Sequence, residues 1–286
     1  MTVRVILTIA ALTLKEARRK RVVWALFGLT VILVALSGWG FAKLNDAATS
    51  SVGTLTSGEA RLVTSQLLNL VMFGMSLLVA LGTAFLAGPT LGGELDTGIA
   101  HSTLARPIRR SWFLAGKWLG LATFGAVYIA LAGLAQFTVV RITADYWPPQ
   151  PAVALALLAL QTIVLLTLAL FLSSAISPLA SGIVAVGLFG SAWVAGVVGG
   201  IGAALDNDAV ARVGTVSRML LPTDGLWRGA MNAIQDPSAI AEFGRKAIAF
   251  PFLSTEAVTG AYLIWVVAWI AIVGGATGVF FSRRDL

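Results

Sequence analysis

The chain has 286 residues, of which 58% are hydrophobic and 12% charged, and its mean hydropathy is +0.89. These values exclude an ordinary soluble domain, in which about a quarter of the residues are charged, and indicate an integral membrane protein. The net charge of +7 would suggest nucleic-acid binding in a soluble domain, but in a membrane protein it reflects basic loops on one side. Because cysteine is absent, disulfides, thiol chemistry and cysteine-bound metals are also excluded.

Six apolar stretches are long enough to cross a bilayer. A spanning helix needs about 20 apolar residues, because every backbone amide in the hydrocarbon must be bonded within the protein. The predicted spans are 22–42, 62–91, 119–140, 152–172, 182–205 and 260–281. A serine-rich turn with Pro178 joins the fourth and fifth, which predicts a hairpin. The fold class is therefore an all-α membrane protein with six transmembrane helices.

Basic residues are unevenly distributed between the two sides of such a chain. The two terminal segments and the loop between spans 2 and 3 hold 12 of the 20 Lys and Arg residues, but only four of the 13 acidic residues. Lys and Arg concentrate in cytoplasmic loops. Both termini are therefore predicted to be cytoplasmic, in a multi-pass protein of the inner or plasma membrane. Because topology accounts for the net charge, nucleic acid is not expected as a partner.

Residues 2–20, before the first span, have the pattern of an amphipathic helix. One stripe at spacings of four and three consists of Arg4, Thr8, Ala11, Lys15 and Arg18. The apolar residues opposite are Val5, Ile6, Ile9 and Leu12. We expect this helix to lie at the cytoplasmic surface of the membrane. The alternative is a positively charged lead-in that only orients the first span.

The outer segment 206–259 is too long and too apolar for a simple connection. Thr223 and Asp224 precede one amphipathic pattern, and Pro237 with Ser238 precede a second, so two short outer-face helices are predicted. They would rest on the outer leaflet or dip into it, with Trp227 at headgroup depth. Packing on the outer face without a role in transport is an equally open interpretation.

The sequence lacks the motifs of several enzyme classes. It has no G-x-x-x-x-G-K-S/T loop for ATP, no H-E-x-x-H zinc motif and a single histidine, His101. The predicted spans contain no Asp, Glu, Lys, Arg or His, which argues against an intramembrane protease or an ion-driven transporter. Asn69, Gln136 and Gln161 are polar residues within spans. They either form hydrogen bonds between helices or line a substrate path.

The segment between spans 2 and 3 interrupts the apolar sequence. Pro89, Gly92 and Gly93 predict the end of span 2, and Glu94 and Asp96 the start of a short helix. Pro107 stops this helix near residue 105, and Arg109 and Arg110 mark the membrane surface. Trp112 is expected at the interface, and Lys117 to snorkel from span 3. An ordinary positive-inside loop is the alternative.

Residues 93–120, GELDTGIAHSTLARPIRRSWFLAGKWLG, resemble the same loop of ABC-2 type permeases, the membrane subunits of ATP-binding-cassette exporters. The shared order is an acidic residue, a Gly/Thr pair, an apolar run, a proline, an arginine and G-K. LLPTDGLWRGA after span 5 is similar to an N-P-x-D-x-x-R pattern of the nitrous-oxide-associated branch, and Lys15-Glu16 followed by Arg21 and the terminal FFSRRDL also agree. The sequence departs from the patterns in the reversed order of Thr97 and Gly98, and in Leu221 in place of asparagine.

The resemblance implies a membrane subunit without an ATPase site of its own. Two copies of a separate cytoplasmic ATPase would bind ATP and Mg, and the permease would form a homodimer or pair with a related permease. No cofactor is expected in this chain. The implied function is export of a hydrophobic or amphipathic substrate, driven by the partner's ATP hydrolysis. The alternative is a mechanical transmitter or scaffold that acts on an extracytoplasmic partner without moving a substrate.

The resemblance also assigns residues to roles. The helix near Glu94 would be a coupling helix seated in the ATPase, and the surface helix would contact the ATPase as well. The implied coupling residues are Glu94, Asp96, His101, Arg106, Pro107 and Arg109. The implied N-terminal contacts are Lys15, Glu16 and Arg18. The chain then divides into a surface helix (1–21), spans 1 and 2 (22–91), a coupling loop (92–111), spans 3 to 5 (112–205), an outer segment (206–259) and span 6 with its tail (260–286).

Overall fold

The computed structural model describes residues 2–50, 57–96, 109–236, 252–254 and 257–283. In these residues the regular structure is entirely helical, which confirms the predicted fold class. The helices are α1 (Thr2–Arg19), α2 (Arg21–Ser50), α3 (Ser57–Asp96), α4 (Arg110–Ala144), α5 (Pro151–Ala175), α6 (Pro178–Ala204), α7 (Asp208–Leu220), α8 (Thr223–Ile234) and α9 (Gly260–Arg283).

Six of these helices are long and apolar enough to cross a membrane: α2, α3, α4, α5, α6 and α9, hereafter spans 1 to 6. Spans 2 and 4 are the most buried, whereas spans 1 and 6 lie at the periphery. The core between spans 2, 3 and 4 includes Met72, Met75, Ile129 and Leu165, all 1% exposed or less. The predicted hairpin between spans 4 and 5 is present, because α5 ends at Ala175 and α6 begins at Pro178.

Span 2 does not end where the sequence predicted. Pro89, Gly92 and Gly93 were expected to break the helix, but α3 continues through all three to Asp96. Glu94 and Asp96 therefore belong to the last turn of α3 and not to the first turn of a new helix. The apolar part ends at Gly88, so Asp96 lies about 12 Å further along the helix axis. A proline removes one backbone donor, and a helix tolerates this loss where its neighbours support it. The remainder of the predicted coupling helix lies outside the described residues.

The N-terminal helix α1 lies against the start of span 3. Gly116 and Gly120 make room for it: a Cβ on Gly116 would be 2.6 Å from the Cβ of Ile9, and one on Gly120 would be 2.7 Å from the carbonyl oxygen of Ala10. Leu12, predicted on the apolar face, is 59% exposed. The helix buries Ile9 of the predicted face together with Ala10, Thr13 and Ala17, and Val5 and Ile6 are half-buried. The spacing of apolar residues therefore identified part of the buried face, and the contact with span 3 excludes Leu12 from it.

Two short helices follow span 5 at the opposite end of the bundle. Helix α8 was predicted, but it packs inside the protein: Trp227 is 1% exposed and its ring lies 5.4 Å from that of Phe73 in span 2. Trp227 therefore faces spans 2 and 4 and not the lipid, because these spans offer an apolar partner for this face of α8. Its depth in the bilayer stays a prediction. The second predicted helix, after Pro237, lies outside the described residues.

Helix α7 was not predicted, although the sequence carries its signals. Asn207 caps it by accepting a hydrogen bond from the backbone N–H of Val210 at 3.2 Å, Asp208 lies in its first turn and Arg218 in its last. It packs on span 5 at a point where Gly199 meets Gly214, and a Cβ on either glycine would be within 3.0 Å of the other backbone. Gly199 and Gly202 of span 5 therefore serve packing against α7 within the chain.

Candidate coupling surface

One end of the bundle brings together the N-terminal helix and the described ends of spans 2, 3 and 6. We call it the basic end; it comprises α1, the end of α3 at Asp96, the start of α4 at Arg109 and Arg110, and the end of α9. The ring centroids of Phe113 in span 3 and Phe281 in span 6 are 6.3 Å apart at this end. Gly88 of span 2 lies against the backbone of Pro178 at the start of span 5. Four spans therefore meet directly behind the predicted coupling residues.

An ion pair joins α1 to span 3 at the basic end. Lys117 Nζ donates a hydrogen bond to Glu16 Oε2 at 3.3 Å, and Lys20 Nζ lies 3.1 Å from Glu16 Oε1. The Lys117 side chain is 9% exposed, and its ammonium lies 5.6 Å from the ring centroid of Phe113. Lys117 was predicted to snorkel to the surface. It is instead buried, because Glu16 brings a carboxylate to it.

The carboxyl group of Glu16 is ionised more readily than usual. Partial burial by itself raises its pKa, but the charge of Lys117 and the hydrogen bond from Lys20 lower it by more, so the pKa falls below the ordinary value of 4.5. The Glu16 carboxyl group is therefore ionised near neutral pH. A charged contact with one buried partner resists sliding of α1 over span 3, because movement would leave Lys117 without this carboxylate.

The structure places the other predicted coupling residues as follows. Glu94 and Asp96 are on the last turn of α3, and Arg109 directly precedes α4, with its guanidinium 5.5 Å from the ring centroid of Trp112. Lys15 and Arg18 are exposed on α1, and Glu16 is half-buried. His101, Arg106 and Pro107 lie outside the described residues. The described members thus all lie on elements of the basic end.

Each of the three polar residues proposed for a substrate path binds another part of the chain. Gln136 of span 3 accepts a hydrogen bond from Ser37 Oγ of span 1 at 2.9 Å, and Gln161 of span 4 donates one to Ser76 Oγ of span 2 at 3.1 Å. Asn69 donates to the carbonyl oxygen of Phe252 at 3.2 Å. These bonds support the interhelical interpretation for Gln136 and Gln161. The role of all three in a substrate path stays a prediction.

A second polar cluster lies at the opposite end; its Asp224 and Arg228 belong to the segment LLPTDGLWRGA, but no site was predicted for them from the sequence. Asp224 of α8 is buried, and its Oδ2 accepts hydrogen bonds from Nε of both Arg218 and Arg228 at 3.0 Å. Arg228 also donates to the carbonyl oxygen of Gly196 in span 5 at 2.7 Å. The spacing of four between Asp224 and Arg228 was a usable signal for this pair. Arg218 could not be added from spacing, because it lies on a different helix.

Metal binding has no visible basis in the described part of the chain, where no three His, Asp or Glu side chains form a group suited to an ion. Among curated proteins, none matches this sequence. The model of a family described as "ABC-2 family transporter protein" matches residues 7–286, which include all six spans and the basic end. With a match over nearly its whole length, the chain belongs to the ABC-2 family of transporter proteins.

Proposed function

We propose that this chain is the permease subunit of an ABC exporter, and that its basic end passes motion from a separate cytoplasmic ATPase to spans 2 and 3. The observation that carries the proposal is the ion pair between Glu16 and Lys117, which ties the N-terminal helix to the start of span 3. The family membership supports pairing with an ABC ATPase. ATP and Mg would be bound by two copies of that partner, and the permease would act as a dimer.

The position of Glu94 and Asp96 at the end of α3 supports their contact with a basic surface on the ATPase. Glu94 and Asp96 lie at the carboxyl end of a long helix, where the helix dipole disfavours negative charge by about 0.3–1 kcal/mol each. A cation from another protein would remove this penalty. Because α3 is continuous to Asp96, a force applied there acts directly on span 2. A rigid helix transmits displacement better than a loop does.

The contact between α1 and span 3 supplies a second route for the same motion. Lys15 and Arg18 on the exposed face of α1 would touch the ATPase, while the buried face holds span 3 through Gly116, Gly120 and the ion pair of Lys117. Closure of the two ATPases on ATP would then move α1 and α3 together. Substrate would leave through or beside the dimer interface.

One observation favours the alternative, a mechanical transmitter that moves no substrate. Gln136 and Gln161, which were candidates for a polar path, are used in hydrogen bonds between helices. A polar-lined cavity at the dimer interface would support export, whereas a tightly packed apolar interface would support transmission to an extracytoplasmic partner. Export remains our first proposal, because the family is one of transporters.

The charge-reversed variant Glu94→Lys with Asp96→Lys tests the coupling role. We expect at least a tenfold loss of affinity for the ATPase, because two repulsive charges replace two attractive ones. Affinity and permease-stimulated ATP hydrolysis would be measured on the purified complex in nanodiscs. The matched control reverses two exposed acids at the opposite end, Asp46 and Asp208. Unchanged coupling in the first variant, or equal loss in the control, would contradict the proposal.

Membrane sidedness can be tested with single cysteines, since the natural chain has none. Arg109 and Asp208 are exposed at opposite ends of the bundle. We expect Arg109→Cys to react with an impermeant maleimide only in inside-out vesicles, and Asp208→Cys only in right-side-out cells. The readout is the mass shift of the labelled protein. Reaction of Arg109→Cys from outside would invert the proposed topology.

A further inference from the structure

A cavity of about 330 Å³ lies at the end of the bundle opposite the basic end, between α6, α7, α8, α9 and residues 253–254 and 257–259. Its charged and aromatic lining comes from Arg218 of α7, Arg228 of α8 and Tyr262 of α9. Thr215 and Thr259, which carry hydroxyl groups, also line the cavity. This polar lining differs from the apolar surfaces of the spans and calls for a polar occupant.

The described charged residues at this cavity, Arg218 and Arg228 with their partner Asp224, carry more positive than negative charge. In the part of the chain that the structure describes, the carboxylate paired with the two arginines is that of Asp224, which binds both through one oxygen. The Asp224 side chain is 1% exposed, whereas those of Arg218 and Arg228 are 28% and 14% exposed. Two guanidinium groups and one carboxylate leave one positive charge. The cavity is where that excess charge can be met by an anion.

The hydrogen bonds of the two arginines make Arg218 the better candidate to bind an anion. A guanidinium has five N–H donors, and Arg218 meets Asp224 with the one on Nε at 3.0 Å. Arg228 is held more firmly, since it bonds both Asp224 and the carbonyl oxygen of Gly196. Arg218 is part of the cavity wall, and the terminal nitrogens of a guanidinium have the fork arrangement that suits two oxygens of a phosphate.

The position of the cavity along span 6 follows from three hydrogen bonds to the last turn of α7. Trp265 and Trp269 of span 6 donate hydrogen bonds to the carbonyl oxygens of Met219 and Leu220, at 3.2 Å and 2.8 Å, and so hold the end of α7 against span 6. Tyr262, the third residue of span 6, donates one to the carbonyl oxygen of Arg218 at 3.2 Å. Arg218 therefore lies beside the first turn of span 6, at the end of the span where phospholipid headgroups begin.

We propose that this cavity binds a phosphate group, with Arg218 as its principal donor. Both inorganic phosphate and the headgroup of an anionic phospholipid present this chemistry at this depth. Neither the coupling residues nor the ATPase enters this inference, so it stands independently of the proposed function.

The test uses the full chain in nanodiscs of neutral phosphatidylcholine. One arm measures the affinity for inorganic phosphate from the shift of the thermal unfolding midpoint. The other measures retention of added phosphatidylglycerol by native mass spectrometry. We expect binding in at least one arm, with a loss of about tenfold or more in Arg218→Gln, since a charge-assisted hydrogen bond is removed. Arg218→Lys should lose less than Arg218→Gln does.

The matched control is Arg212→Gln, which removes the same charge from an exposed position on the same helix. It should change binding less than twofold. A further variant, Thr215→Asp, adds a carboxylate at an exposed residue of the cavity wall and should abolish binding if Arg218→Gln does not fold. Binding in the phosphate arm identifies a soluble ligand, and binding in the lipid arm alone identifies a headgroup. Absence of binding in both arms, or equal loss in Arg212→Gln, would overturn the proposal.

Discussion

Replacement of Asp224 by alanine is expected to lower the free energy of unfolding by about 3 kcal/mol, because it leaves two guanidinium groups without their buried carboxylate. Asp224 is 1% exposed and accepts hydrogen bonds from Arg218 and Arg228 at 3.0 Å each. The arginines are partly exposed and can be hydrated in the variant, so the loss should lie at the low end of that found for buried pairs. Gly196 lies directly against the carboxylate, which leaves no room for a side chain there.

The measurement is denaturant or thermal unfolding of the purified protein in one detergent. Asp46→Ala is the control, because Asp46 also pairs with a cation, Lys43 at 3.7 Å, but is 72% exposed. Such a surface pair contributes about 0–1 kcal/mol. Similar losses in the two variants would show that the buried cluster does not stabilise the end of the bundle opposite the basic end.

Replacement of Glu16 by glutamine is expected to weaken both stability and coupling. Lys117 would keep its buried charge without this carboxylate, which we expect to cost about 1–2 kcal/mol; this is less than for a fully buried pair, because Glu16 is 43% exposed. Lys117→Met removes the charge and its desolvation together, so its effect on stability should stay below about 1.5 kcal/mol. Both variants should lower permease-stimulated ATP hydrolysis, because both disconnect α1 from span 3.

The variant Lys20→Gln distinguishes the loss of the ion pair between α1 and span 3 from a loss of charge on α1. It removes the other cation bound to Glu16, at 3.1 Å, but leaves the link to span 3 in place. A pair of this kind within one helix contributes about 0.3–0.5 kcal/mol, so coupling and stability should change little. If Lys20→Gln reduced ATP hydrolysis as much as Lys117→Met does, the charge of α1 rather than its link to span 3 would be responsible.

The same ion pair predicts a dependence of stability on pH. Burial raises the pKa of Glu16, but the charge of Lys117 and the hydrogen bond of Lys20 prevail, so the pKa in the folded protein lies below 4.5. A carboxyl group whose pKa is lower in the folded protein than in the unfolded chain stabilises the fold at pH values above its unfolded pKa. This contribution is lost as the pH falls through the pKa of the folded protein. The stability difference between the natural chain and Glu16→Gln should therefore be constant near neutral pH and shrink below about pH 4.5. A difference that grew on acidification would contradict this.

The spans and the general plan were readable from the sequence because they depend on local composition. Each span has to satisfy its backbone amides internally, so about 20 apolar residues in a row suffice to identify it. Span 6 was predicted as 260–281, and the structure has the same apolar stretch. The concentration of Lys and Arg around the termini is also found by counting residues in the sequence. Their side of the membrane stays a prediction.

Tertiary structure decided which faces and charges meet, because the partners lie far apart in the chain. Glu16 and Lys117 are separated by 101 residues, and no local spacing indicates their contact. Trp227 has the pattern of an interfacial residue, but Phe73, more than 150 residues away, gives it a buried partner. Arg218 is only six residues from Asp224, but it lies on a different helix, so spacing within one helix does not indicate this contact either. Hydrocarbon thickness determines the spans locally, whereas the choice of contacts among them depends on the packing of the whole bundle.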